Sequence, residues 1–116
     1  MDLIIKILKA LADQSRLRLF VLCKQGEFSV SELVYILDQS QPRVSRHLKI
    51  LCEAGLLQNI REGNWVMYRV TIGTEPADIA NRFLPSVPKD DPIIADDFGR
   101  LSIVHAKRSE SAAAYF

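Results

Sequence analysis

The stretch from Ser40 to Gly55 carries chemical signals for both ends of one helix. Ser40 is a favourable N-cap, Pro42 is tolerated in the first turn, and Gly55 suits the left-handed position that follows a helix. Between these ends, apolar side chains recur at the i, i+4, i+7 spacing of a core-facing stripe: Val44, Leu48 and Leu51. The stretch therefore predicts a helix with one buried side.

The other side of this predicted helix is polar and basic. At about 100° per residue, its members fall opposite the apolar stripe or in the exposed first turn: Gln41, Pro42, Arg43, Ser45, Arg46 and Lys49. Arginine pairs with guanine, glutamine with adenine, and lysine with phosphate, so this face suits a DNA major groove. An ordinary solvated helix face has the same composition, and the neighbouring segments must distinguish the two interpretations.

A second, shorter helix is predicted just upstream, within residues 28–37. Either Ser29 or Ser31 can act as its N-cap, and its apolar positions include Leu33 and Leu37. Residues 38–40 join the two helices, and this length is typical of a helix-turn-helix whose second helix enters the groove.

Two strands are predicted downstream, at about residues 57–61 and 65–71, because both segments are rich in β-branched and aromatic residues. Glu62-Gly-Asn64 separates them and favours a turn, which makes a β-hairpin wing. Arg61, Asn64 and Arg69 are candidates for contacts with phosphate or the minor groove.

The chain resembles the ArsR/SmtB winged-helix repressors in five blocks that follow the family order. The blocks span most of residues 3–71: Leu8 to Leu19, Ser31-Glu-Leu33, Gln41 to Leu51, Glu53-Ala-Gly-Leu-Leu57 and Gly63 to Arg69. The resemblance implies a homodimeric repressor that binds a palindromic operator and releases it when an effector binds. It places base-reading roles on Gln41, Pro42, Ser45 and Arg46, although the family often has Ser where Pro42 stands.

We therefore expect DNA contacts from the polar face of the helix and from the wing. The full predicted set is Ser40, Gln41, Pro42, Arg43, Ser45, Arg46, His47, Lys49, Arg61 and Asn64. Residues 40–71 hold five basic and two acidic side chains, a local net charge of +3, whereas residues 72–116 carry −2. The whole-chain net charge of +1 conceals this basic segment.

The metal-sensing motifs of the family are absent from the sequence. Many members carry a Cys-x-Cys-type pair after Glu-Leu, but here Glu32-Leu33 is followed by Val34 and Tyr35. The whole chain has two Cys and two His, and a tetrahedral zinc site needs about four donors. We predict no metal and no cofactor. The expected effector is an unidentified small molecule, with a redox signal or a signal from a missing downstream domain as the open alternatives.

Structural roles are expected for the remaining donor side chains. Cys23 and Cys52 are predicted to be small buried side chains, with a redox pair left open. His47 lies beside the apolar stripe, and His105 is expected on a solvated face near Lys107 and Arg108.

Apolar helices at both ends of the chain predict a subunit interface. The first helix has a wide apolar stripe, and a last helix from about residue 92 to 114 repeats apolar positions along one side. The expected interface consists of Leu3, Ile4, Ile7, Leu8, Leu11, Phe98 and Leu101. We expect the last helix to pack against the first helix of the partner. A shorter helix, residues 75–84 with Thr74 as its cap, is expected before the proline-rich break at residues 85–92.

The fold class predicted from these elements is mainly α with a small β-hairpin, a winged helix-turn-helix with additional N- and C-terminal dimerisation helices. Residues 1–75 are assigned to the DNA-binding domain and residues 76–116 to a helical extension. We expect a cytoplasmic transcriptional regulator with no membrane segment, since no apolar run approaches the ~20 residues that span a bilayer. No catalytic site is predicted. The acidic group Asp90, Asp91, Asp96 and Asp97 is expected to cap and solvate the start of the last helix.

The last residues, Ser111-Ala-Ala-Ala-Tyr-Phe116, resemble a family subgroup fused to a C-terminal S-adenosylmethionine-dependent methyltransferase domain. We expect the chain to be the N-terminal DNA-binding part of such a fusion. The alternatives are a complete repressor with an apolar interface tail, or a winged helix that serves the methyltransferase through protein contacts.

Overall fold

The computed structural model describes residues 1–115, with side chains as far as Ser111. It contains six α-helices and three strands, and a short 3-10 helix lies at Leu84–Ser86. Their bounds are α1 Asp2–Leu11, α2 Gln14–Lys24, β1 Phe28–Ser29, α3 Val30–Leu37, α4 Gln41–Glu53, β2 Leu57–Glu62, β3 Trp65–Val70, α5 Glu75–Asn81 and α6 Pro92–Tyr115. The predicted fold class, mainly helical with a wing, is confirmed.

Local side-chain chemistry sets the ends of the two helices at residues 30–37 and 41–53. The Ser40 hydroxyl accepts a hydrogen bond from the Arg43 backbone N–H, and Gly55 has a φ of 78° just beyond α4. Ser29, rather than Ser31, caps α3 in a capping box with Glu32. The predicted helix-turn-helix is therefore formed by α3 and α4.

The strands form one antiparallel sheet in the order β1-β3-β2. In the hairpin, Leu57 lies opposite Val70 and Glu62 lies opposite Trp65. The first strand was not predicted. It has only two residues, and it is defined by pairing with β3, where Phe28 lies opposite Tyr68.

The hydrophobic core lies between α1, α2, α3, α4 and the base of the wing. Its largest fully buried side chains include Ile7, Phe20, Phe28, Leu33, Leu48 and Leu51. Burial of this kind contributes about 1.5–3 kcal/mol per large apolar side chain. The helices of the helix-turn-helix are thus fixed by their shared inner faces.

The segment after the wing differs from its prediction in length. Thr74 caps α5 as expected, accepting a hydrogen bond from the Ala77 backbone N–H. The helix ends at Asn81, whereas the prediction placed its end at residue 84. A short 3-10 helix that contains Pro85 follows it. Proline supplies no backbone N–H, so a regular helix does not continue across this position.

The last helix folds back on its own chain. It packs against α2 and α3, and its buried apolar residues are Ile94, Leu101 and Val104. Ile7, Leu11 and Leu101 therefore belong to the chain's own core, and the prediction that they face a partner is wrong because little of their surface remains exposed. Phe98 and Leu3 are half-buried against the same core.

Two acidic residues near the start of α6, Asp91 and Asp97, have different structural roles. Asp91 accepts a hydrogen bond of 2.9 Å from the Ile93 backbone N–H, as a cap does. Asp97 is 1% exposed and forms an ion pair with Arg18, so its predicted solvating role is wrong. Within residues 1–115, no helix combines the length and apolar character needed to cross a membrane.

Candidate nucleic-acid interface

The fourth helix has the two-sided character predicted for it. Val44, Leu48 and Leu51 are fully buried, and they anchor α4 in the core. The side chains on its other side and in its first turn are all exposed: Gln41, Pro42, Arg43, Ser45, Arg46 and Lys49. Three cations thus share one open face with two uncharged polar side chains that can donate and accept hydrogen bonds.

His47 is not part of this open face. Its Nδ1 atom lies 3.3 Å from an Arg16 guanidinium nitrogen and 4.0 Å from an Asp13 carboxylate oxygen, and only 13% of its side chain is exposed. Burial lowers the pKa of His47; Asp13 opposes this shift, whereas Arg16, Arg43 and Arg46 add to it. The predicted phosphate contact from His47 is therefore wrong in this geometry, because the ring faces α2.

Arg16 connects three helices around His47. Its Nε atom donates a 2.7 Å hydrogen bond to the Ala10 carbonyl, and a terminal nitrogen donates to the Lys9 carbonyl at 3.2 Å. Asp13 caps α2 by accepting from the Arg16 backbone N–H at 3.1 Å. This cluster fixes α4 against the end of α1 and the start of α2.

The turn between α3 and α4 is held by side chains from distant helices. Arg18 donates to the Leu37 carbonyl at 3.2 Å, and Arg100 of α6 donates to the Ile36 carbonyl. Gln39 donates a 2.7 Å hydrogen bond to the Ser15 hydroxyl. The two arginine contacts satisfy carbonyls that the end of α3 leaves without helical partners. Sequence reasoning missed this set, although an arginine between two leucines of α2, Arg18 between Leu17 and Leu19, is a signal of a buried ion pair.

The wing presents two of its three predicted contact residues. Arg61 and Asn64 are exposed at and beside the hairpin turn. Arg69 is instead half-exposed and paired with Glu27, with 3.1 Å between Nη1 and the carboxylate. The pair ties β3 to the segment before β1, and the contact of Arg69 with phosphate stays a prediction.

The two thiols have an environment that suppresses their reactivity. Cys23 is buried, and burial raises its pKa to about 12, with a smaller contribution from nearby Cys52. Burial also raises the pKa of Cys52, and Glu53 adds to this shift. Both remain protonated near neutral pH, and the thiolate is the form that reacts with oxidants. The raised pKa values therefore disfavour oxidation of either thiol, and the redox pair stays a hypothesis.

The imidazole of His105 has a packing role. The residue is exposed, as predicted, and its ring also stacks on that of Phe28, with 5.9 Å between centroids and 17° between planes. In the part of the chain that the structure describes, His, Cys, Asp and Glu form no group of three that could hold a metal ion.

A helix-turn-helix with a cationic outer face, followed by a β-hairpin, defines the winged helix-turn-helix class. Residues 13–59 match the family described as "Bacterial regulatory protein, arsR family". The chain belongs to this ArsR family. The match runs from the cap of α2 to the first half of the wing and contains the whole helix-turn-helix.

The similar proteins include regulators of known sequence and structure. Over 68 residues the chain is 47% identical to the arsenical resistance operon repressor of Escherichia coli (strain K12), covering 58% of each chain. The repressor BigR of Xylella fastidiosa matches at 30% identity and a TM-score of 0.61, covering 73% of this chain and 88% of that one. The homodimeric winged helix-turn-helix DNA-binding domain Mb0332 of Mycobacterium bovis matches at 28% identity and a TM-score of 0.65, covering 73% and 78%. The chain thus spans little more than half of the Escherichia coli repressor.

Proposed function

We propose that the protein is a sequence-specific, DNA-binding transcriptional repressor. The observation that carries the proposal is the division of α4 into a fully buried apolar side and an open side bearing Arg43, Arg46 and Lys49. Membership of the ArsR family and similarity to proteins named as operon repressors support it. The proposed place of action is the cytoplasm, on operator DNA, and the proposed role is regulatory rather than enzymatic.

The exposed residues of α4 have separate proposed roles. Gln41, Ser45 and Arg46 contact base edges, since their amide, hydroxyl and guanidinium groups match major-groove donors and acceptors. Pro42 offers an apolar surface to a thymine methyl group. Ser40, Arg43 and Lys49 contact phosphates and fix the register of the helix on the duplex, as do Arg61 and Asn64 from the wing.

A homodimer is the proposed active form. Ile4 and Leu8 on α1 are 38% and 41% exposed, and Phe83 after α5 is 40% exposed. Two grooves meet at Phe83, one lined also by Ile4 and Ile79 and the other by Leu8 and Leu17. These side chains form an apolar surface shared by α1 and the end of α5 that a partner subunit would cover, and two-fold pairing would present two copies of α4 to a palindrome. Ile5, which is also exposed, extends this surface.

The proposed effector is not held by thiols on α3. Several relatives are named for arsenic or arsenical resistance, but α3 here has Val34, Tyr35 and Ile36 after its capping box and contains no cysteine. We therefore extend the proposal to an organic effector.

Duplex binding measured by fluorescence anisotropy tests the repressor proposal. The duplex is taken from the DNA upstream of the gene, and a scrambled duplex serves as the reference. We expect Arg46→Ala to weaken specific binding by about 1–3 kcal/mol, roughly fivefold to 150-fold, and to relax the preference for the specific duplex. Lys24→Ala is the matched control, since Lys24 is an exposed cation at the end of α2.

The salt dependence gives a second, independent readout. A protein that neutralises phosphates shows a log K that falls steeply with log salt, and Lys49→Ala should reduce the slope by about 1. A slope near zero, or equal binding by the wild type and Arg46→Ala, contradicts the proposal.

A further inference from the structure

A groove of about 690 Å³ lies between the start of α3, the wing and α6. Its walls include Tyr35 from α3, Trp65 and Met67 from β3, and Val104 and Lys107 from α6. This volume falls in the range of small-molecule sites, roughly 300–1,000 Å³. None of the proposed base-reading residues of α4 lines it.

The aromatic side chains of this groove are exposed although they are large. Trp65 is 64% exposed and Tyr35 is 42% exposed, so neither ring is part of the core. Val104, 6% exposed, also lines the groove and belongs to the hydrophobic core. Two flat rings beside an apolar side chain favour a ligand that is itself planar, because stacked and edge-to-face contacts add to the burial of apolar area.

The charges around the groove balance one another. Arg108 is engaged by Glu32, with 2.7 Å between Nε and the carboxylate, and it also donates to the Glu27 carbonyl at 2.7 Å. Lys107 on α6 lies with its Nζ atom 5.6 Å from the centre of the Tyr35 ring, and Glu62 stands on the wing side. Lys107 and Arg108 are balanced by Glu32 and Glu62, so the groove has no net charge that would attract a charged ligand. The ligand that fits this groove is uncharged and carries polar groups at its edge, which can form hydrogen bonds with Ser31, Lys107 or Glu62.

We propose that this groove binds an uncharged planar aromatic molecule, and that such a molecule is the effector of the repressor; the second half rests on the proposed function. One wall is α3, the first helix of the helix-turn-helix, and another is the wing. A ligand between them fixes the wing relative to α3. When that position differs from the one used on DNA, ligand and operator weaken each other's binding by the same factor.

Trp65 makes the site directly observable, since it is the only tryptophan of the chain. Protein labelled with 5-fluorotryptophan has one fluorine resonance, and that resonance reports on the groove. The probes share one ring system and differ in charge: 2-naphthol, 2-naphthoate and 2-naphthylmethylammonium. We expect a saturable shift with 2-naphthol at a Kd on the order of 1 mM or tighter, the affinity open to so small a molecule. The two charged probes should bind several-fold more weakly.

Two variants locate the binding. Tyr35→Ala removes one aromatic wall from an exposed position and should weaken 2-naphthol by about threefold to tenfold. Ile103→Ala is the matched control, because Ile103 is a similarly exposed apolar residue on α6 that does not line the groove. Its Kd should equal that of the wild type.

The outcomes separate the two halves of the proposal. No saturable shift, equal binding of all three probes, or an unchanged Kd in Tyr35→Ala overturns the site. Binding of 2-naphthol that leaves operator affinity unchanged overturns the effector role alone. The fluorine titration contains no DNA, and Arg46→Ala should retain it, so a failure of the repressor proposal is visible separately as a lack of operator binding.

Discussion

Arg18 lies among apolar neighbours in α2, where an unpaired guanidinium would be costly to bury. Its Nε and Nη2 atoms donate to the two Asp97 oxygens at 2.8 and 2.7 Å, and Nη2 also reaches the Leu37 carbonyl. Arg100 adds a second contact to the same carboxylate at 3.2 Å. The hydrogen bond to Asp97 raises the pKa of Arg18 further. One buried carboxylate thereby joins α2, α6 and the end of α3.

Removal of this carboxylate should strongly destabilise the fold. Asp97→Ala leaves Arg18 buried without its counter-ion, and we expect a loss of about 3–5 kcal/mol in the free energy of unfolding, measured by urea denaturation. Asp96→Ala provides the control, since the neighbouring Asp96 is exposed and a surface change of this kind stays within about 0.5 kcal/mol. Equal effects of the two substitutions would show that the ion pair contributes little.

Predictions for single residues succeeded where the exposure of a side chain depends only on its position around its own helix. The exposure of Gln41, Ser45 and Arg46 follows from the position of each residue around α4. His47 lies at the border of the two sides, and its environment is set by Arg16 on another helix. Asp97 was assigned to solvent as part of an acidic run, although its position three residues after Ile94 and four before Leu101 places it on the buried side of α6. The groove beside Trp65 was also missed, because three separate elements form it.

At the level of elements, the N-terminal ends of helices were the most predictable features. Ser29, Ser40 and Thr74 each cap the helix that follows, because a cap depends on residues within about four positions. The first strand shows the opposite case. Phe28–Ser29 is a strand only through its pairing with β3, so its own sequence contains no periodic pattern to detect.

Two glycines should respond in opposite ways to the same substitution. Gly55 follows α4 with a φ of 78°, and a Cβ atom there would lie 3.3 Å from Pro76 Cγ, so Gly55→Ala should cost about 1–2 kcal/mol. Gly99 lies inside α6 with nothing within 4 Å of a built Cβ, so Gly99→Ala should stabilise by about 0.5–1 kcal/mol. Thermal unfolding of both variants checks this pair. A stabilised Gly55→Ala protein would contradict the assigned role of the left-handed turn.

At the scale of the whole molecule, the main difference from prediction concerns α6. Its apolar repeat was assigned to a partner, but the helix covers α2 and α3 of its own chain. A periodic apolar stripe predicts that one face of a helix is buried, but it does not predict which surface covers that face. The position of α6 depends on Arg18 and Glu32, which are far away in sequence.

The remaining apolar surface predicts how the subunits associate. Leu8→Glu places a charge in the centre of the exposed α1 surface and should weaken dimerisation by more than tenfold, about 1.4 kcal/mol. Sedimentation over a range of protein concentrations measures this change. Ile103→Glu is the comparison, an equally exposed position on α6 outside the proposed interface. If both variants remained dimeric, the α1 surface would not be the interface.

The pairing of Arg18 with Asp97 also constrains how this chain can vary over generations. The two positions are separated by 79 residues, yet the loss of either charge alone leaves the other buried and unpaired. Replacement of both by apolar residues of similar volume is far less harmful, so the effect of each mutation depends on the other. Among descendants of this sequence, positions 18 and 97 should therefore be inherited as a charged pair or lost together.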